Sequence, residues 1–212
     1  MLARNAYLLT CIAAAFILVL LARRDGLTWT ELGFGTGSLR AGAVWGVAMA
    51  GIVLAGYLLV LTVPAARIAL TDDRAARLSA AGVLWQATVR VPLGTVLLEE
   101  VAFRGVLWAM IARRRGAGWA TGVSSALFGF WHVLPSLRTA DANAAAVAVF
   151  GSGPLGQGLA VSAAVAGTAV AGTVFCELRR RSGSLLAPAA LHWALNGCGY
   201  VFSWATARLA AG

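Results

Sequence analysis

The sequence predicts an all-α, polytopic transmembrane helical bundle of about six spans, with room for interfacial or re-entrant helices. Three observations carry that prediction. Of the 212 residues 60% are hydrophobic and only 12% charged, whereas a soluble domain carries about 25% charged residues. Mean hydropathy is +0.80. The apolar residues also gather into runs near the ~20 residues that cross a hydrocarbon core ~30 Å thick.

Ala6–Ala22 is the first run. It looks like a leader, but it closes on Ala22-Arg-Arg-Asp25 instead of a small-residue cleavage site, so it is expected to stay as a span. Ala41–Val63 is the second, rich in small residues that permit close helix packing. The polar loops Arg23–Arg40 and Pro64–Ala81 flank it. Val83–Ile111 is too long for one span. Arg90 and Pro92 suggest an interfacial helix followed by a third span from Pro92, since proline suits a first helical turn. Trp119–Leu134, ended by Pro135, is the fourth span; Leu155–Leu178 and Leu185–Ala207 are the fifth and sixth. Between the fourth and fifth, Ser136–Pro154 holds an apolar piece, Ala144–Phe150, expected as a short re-entrant or surface helix. No repeat or linker interrupts the chain, so residues 1–212 read as one integral-membrane domain.

The net charge of +9 comes entirely from arginine on the basic side, mostly in short loops. Such arginines set orientation and meet anionic headgroups. The pattern excludes a nucleic-acid partner, which would call for a basic stripe interleaved with aromatics. If six spans alternate, nine arginines (23, 24, 40, 113–115 and 179–181) share one side and six (4, 67, 74, 77, 138 and 208) the other. That places the triplets in the cytoplasm and both termini outside. The absence of lysine beside abundant alanine and glycine suggests a GC-rich genome and hence a bacterial cytoplasmic membrane. Cys11, Cys176 and Cys198 form no CxxC pair, and are expected as small buried hydrophobes.

One segment contradicts its surroundings. Glu99, Glu100 and Arg104 lie in the apolar run from Val91 to Ile111, where each ionised side chain costs ~2.5–3.5 kcal/mol on insertion scales. Charges so placed are functional by expectation. Glu100 and Arg104 are one helical turn apart and suited to an ion pair. Adjacent helical positions point ~100° apart, so Glu99 is expected to face another way, toward the only two histidines. His132 follows Phe128 by four residues, and His192 precedes Asn196 by four. At ~1.5 Å per residue, Glu99 lies about 21 Å from Arg113, His132 about 25 Å from Arg115, and Asn196 about 22 Å from Arg181. Three helices thus bring polar groups to similar depth, and a buried carboxylate beside imidazoles is a competent general base for water.

These residues resemble a known family. Glu99-Glu100-x-x-x-Arg104, then Phe128-x-x-x-His132, then Ser184-Leu-Leu-Ala-Pro-Ala-Ala-Leu-His192-x-x-x-Asn196 occur in the order seen in the CPBP family, the CAAX-protease and bacteriocin-processing intramembrane endopeptidases. The motifs span residues 92–197. The resemblance implies a glutamate-dependent peptidase without a cofactor or obligatory metal, acting on a membrane-associated protein or peptide. It implies that Glu99 and His132 bind and activate the attacking water, and that His192 and Asn196 position it or stabilise the oxyanion. Glu100, Arg104 and Phe128 would then support the site.

Three other readings compete. Two histidines and a carboxylate are a zinc-like ligand set, although there is no His-Glu-x-x-His. A serine intramembrane protease would use Ser124 or Ser125, but Gly122-Val-Ser-Ser125 is not a nucleophile setting. Intramembrane Glu, His and Arg also mark proton relays, so a proton-coupled carrier or a non-catalytic scaffold is the reading from another class. Small size and the lack of inverted repeats stand against a carrier.

Overall fold

A computed structural model of the chain describes residues 2–139 and 144–211. Helices account for nearly all of them, and no strand occurs among the described residues. The long elements are α1 (Leu2–Arg24), α2 (Leu39–Thr62), α3 (residues 80–115), α4 (Ala117–Trp131), α5 (Val133–Thr139), α6 (Ala144–Phe150), α7 (Gly153–Ser182) and α8 (Leu186–Ala211). Their ends follow local chemistry. Ser79 caps α3 by accepting from the Gly82 N–H at 3.1 Å. Pro154 opens α7, where a missing N–H costs nothing. Gly183, at φ +69°, ends α7 in the left-handed conformation that glycine adopts without strain.

Three segments are long and apolar enough to cross a membrane: Ala6–Arg24, Thr36–Thr62 and Gly153–Ser182. The chain is an all-α membrane bundle and an integral membrane protein. The other three helical units, α3, α4–α5 and α8, carry the buried charges, histidines and breaks of the site.

Two expected boundaries are corrected. Residues 80–115 run on through Arg90 and Pro92 without a break, as one helix of about 50 Å. The segments Gln86–Arg90, Pro92–Val96 and Glu100–Leu107 are π-helical. The wider i→i+5 turn relieves the clash between a proline ring and the preceding turn, so Pro92 is absorbed instead of ending the helix. Pro135 does not end the fourth unit either. The break comes at His132, and Pro135 falls in the first turn of α5. Ala144–Phe150 is helical over the expected residues.

α8 packs along α2 and α7 along α4, with α3 threaded between them and α1 behind α3. Tyr7 on α1 donates to the Gly94 carbonyl at 2.6 Å, and Tyr57 on α2 to the Leu195 carbonyl at 2.9 Å. A Cβ at Gly42 would sit 2.6 Å from the Ser184 side chain, so only glycine lets α2 come this close to the start of α8. One apolar cluster, including Leu27, Leu32, Val101 and Leu185, closes the arginine-rich end. A second, of Phe128, Phe175, Leu178, Ala187 and Leu191, lies where α4, α7 and α8 meet α3.

At the first of these ends the Arg23–Arg40 loop is folded. Thr28 and Glu31 form a reciprocal capping box around the one-turn helix Trp29–Leu32. Arg113 reaches Glu31 at 2.9 Å and the Gly26 carbonyl at 2.8 Å, while Arg179 donates to the Glu31 carbonyl at 2.7 Å. The three expected arginine clusters therefore gather at one end of the bundle.

Candidate active site

The second cluster is apolar except at its centre. Arg104 is fully enclosed, Glu100 is 2% exposed, His192 4% and Glu99 7%. Arg104 Nη1 lies 3.2 Å from Glu100 Oε1, one turn away on α3. His192 Nδ1, from α8, lies 2.8 Å from that same oxygen. Its Nε2 faces Glu99 Oε2 at 3.7 Å. The two glutamates thus meet opposite nitrogens of one ring, although adjacent positions on a regular helix diverge by ~100°. α3 turns π-helical at Glu100, which narrows that divergence, and the imidazole spans the remainder.

Aromatic rings take the place of water around the cation. The Arg104 guanidinium carbon sits 3.9 Å from the Phe128 ring centre, 4.8 Å from Phe175 and 5.8 Å from Phe103. Such faces attract a cation most strongly when water is excluded. Phe175 also stacks on His192 at 5.1 Å and 21°, which holds the imidazole plane. Gly172 makes this possible: a Cβ there would come within 3.3 Å of both Arg104 Nη2 and Phe128.

His132 and Asn196 are held differently from His192. At the end of α4 the His132 N–H bonds to the Gly129 carbonyl, a tightened last turn that leaves the Phe128 carbonyl without its usual helical donor. The His132 ring supplies one, Nδ1 lying 2.8 Å from Phe128 O. A carbonyl only accepts, so Nδ1 is the donating nitrogen and Nε2 is turned away from this bond. The ring packs on Phe128 at 4.7 Å, and Phe128 also meets His192 at 5.9 Å. Among the described residues no carboxylate lies within 4 Å of His132. Asn196 stands one turn beyond His192 on α8, half-buried, and its amide makes no hydrogen bond among the described residues. The structure thus brings Glu99, Glu100, Arg104, Phe128 and His192 into direct contact, with His132 and Asn196 at the margin.

Sequence reading passed over two neighbours. Trp131 donates its indole N–H to Glu99 Oε1 at 3.0 Å. Phe175 is the only aromatic residue in α7, and a lone aromatic in a helix of small residues was the available signal. Ser124 bonds the Phe103 carbonyl at 2.8 Å, and Ser125 Oγ lies 3.9 Å from Cys176 Sγ. Both hydroxyls are engaged in helix contacts. Among the described residues no three His, Cys, Asp or Glu side chains are grouped as metal ligands.

The model of the family described as type II CAAX prenyl endopeptidase, Rce1-like, matches residues 81–198, more than half the chain. The chain belongs to that family. It is a CAAX-type intramembrane endopeptidase, in agreement with the motifs read from the sequence. The match begins at the start of α3 and takes in Glu99, Glu100, Arg104, His132, His192 and Asn196. No curated protein and no solved structure matches the chain.

Proposed function

We propose that the protein hydrolyses a peptide bond of a membrane-associated protein or peptide with a water activated by Glu99, without a metal or other cofactor. One observation carries this reading: Glu99 Oε2 is buried, makes no hydrogen bond among the described residues, and faces His192 Nε2 at 3.7 Å. A water seated beside that gap touches both. Glu99 takes a proton from the water as its oxygen bonds to the peptide carbonyl carbon. The charge formed on the carbonyl oxygen is met by the Asn196 amide and by an N–H at His192 Nε2. Donors of this kind are worth ~3–4 kcal/mol each. His132, with Nε2 as acceptor, orients the water. On collapse of the tetrahedral intermediate the C–N bond breaks and Glu99 returns its proton to the leaving amine. Glu100 and Arg104 hold His192 in place throughout.

The family's description is that of a CAAX prenyl endopeptidase. The bacterial character of the composition favours instead maturation of a secreted peptide or release of a surface protein from its anchor. The corresponding setting is a bacterial cytoplasmic membrane crossed six times, with the arginine triplets in the cytoplasm.

Comparing the chain termini of membrane proteomes with and without the protein identifies the bond cut. Glu99→Gln keeps the shape and removes the base. It is expected to insert and fold as wild type while cleavage of that bond falls by ~10²–10⁴. Retention of more than about a tenth of the activity overturns the reading.

A further inference from the structure

We infer that Trp131 is a positioning residue for Glu99, and that its indole N–H selects which carboxylate oxygen handles the proton. The inference rests on the catalytic reading of Glu99 given above. Trp131 is the last residue of α4 and is 52% exposed, on the outside of the bundle. Glu99, which it touches, is 7% exposed. A residue placed there only to cover the carboxylate need carry no polar atom. The indole nevertheless directs its one donor at Glu99 Oε1, at 3.0 Å, and its ring rests edge-on to Phe103 at 6.0 Å.

The chemistry of the donor explains the choice. Indole donates and does not accept, so it can hold a carboxylate oxygen without ever becoming a seat for its proton. A histidine or tyrosine at the same point would offer the proton a second resting place. With Oε1 occupied, the carboxylate cannot swing, and Oε2 stays turned to His192 Nε2. The side chains that meet the Glu99 carboxylate are His192 on α8 and Trp131 on α4. Of these only Trp131 meets Oε1. Hydrogen bonds to a charged oxygen in a dry setting are the strong ones.

The test replaces Trp131 in the full-length protein by 3-benzothienylalanine, which keeps the ring shape and loses the N–H. A parallel protein carries 5-fluorotryptophan, which keeps both. The first readout needs no substrate. The infrared bands of the Glu99 carboxyl, isolated by subtracting the Glu99→Gln spectrum, are expected to shift with 3-benzothienylalanine and to stay in place with 5-fluorotryptophan. Unmoved bands overturn the inference. The second readout is cleavage, in liposomes, of a membrane-anchored peptide spanning the bond found in the terminus comparison. kcat is expected to fall about tenfold or more with 3-benzothienylalanine, with KM unchanged, and to recover with 5-fluorotryptophan. Shifted bands with an unchanged kcat, or a loss confined to KM, overturn the positioning role while leaving Glu99 as the base. An active Glu99→Gln protein instead removes the catalytic reading itself, and this inference with it.

Discussion

Two of the places where the bundle holds acid against base are treated in opposite ways. At the arginine-rich end, Glu31 and Arg113 are each more than a third exposed. Arg113 divides its donors between that carboxylate and the carbonyls of Asp25 and Gly26, while Glu31 also accepts from Thr28. Any one partner can be lost and water takes its place. In the Glu100–Arg104–His192 cluster water has been replaced by phenylalanine rings. There Glu100 Oε1 serves both Arg104 and His192, and His192 serves both glutamates. Each group is the partner of another group that cannot be left alone. An exposed pair fastens two segments, whereas the enclosed set behaves as one unit.

The sharpest way to break this contrast is to remove one member of the enclosed set. Arg104→Ala leaves Glu100 as a buried carboxylate opposed only by His192, and breaking such a pair costs ~3–5 kcal/mol. Loss of folded protein in detergent is expected together with loss of activity, read by size-exclusion chromatography and thermal unfolding. A protein that stays fully stable yet inactive would move Arg104 from support into the catalytic set.

A smaller effect is expected from the packing that seals the site. At Gly172 an added Cβ would lie 3.1 Å from the Ser125 Cα and 3.3 Å from Arg104 Nη2. Gly172→Ala should therefore push α7 away from α4 and cost ~1–3 kcal/mol, the range for overpacking. The melting temperature in detergent measures this, and cleavage should fall because the cage around Arg104 loosens. An unchanged melting temperature would show that the enclosure is not tight.

The smallest effect belongs to the exposed end. Hydrogen bonds from Arg113 first, and from Thr28, hold the Glu31 carboxyl down at about 2. Its folded value lies below its unfolded one, so its contribution is complete above about 4.5 and is lost as pH falls from there toward 2. Glu31→Gln should be close to wild type in activity at neutral pH, and the stability gap between the two proteins should narrow across that acid window. Thermal scans at pH 7 and pH 3 test it. A loss at neutral pH as large as that of Arg104→Ala would erase the distinction between the two regions.

Legibility in the sequence followed the same division. Helix existence and polar-group placement along each helix depend on local periodicity, so the apolar runs, the four-residue spacing of Glu100 and Arg104, and the shared depth of the glutamates with His192 could all be read directly. The two prolines were misread because proline's effect depends on the hydrogen-bonding pattern around it. Pro92 is carried by a π-helical stretch and Pro135 by the first turn of α5, and neither pattern has a signature in residue order.

What the sequence by itself determined is an all-α membrane bundle, the family, and the set of polar groups that had to find one another in a medium without water. Contacts across helices were decided only by the tertiary structure. Periodicity shows which face of a helix a residue occupies and says nothing of which helix will lie against it. Packing of α8 on α3 put His192 between both glutamates, although the spacing alone had turned Glu99 away from Glu100. Packing of α7 on α4 brought Phe175 over the guanidinium, and the end of α4 brought Trp131 to Glu99. In an apolar medium a buried charge accepts whichever donor or ring the neighbouring helix supplies, and that supply is set by how the helices cross.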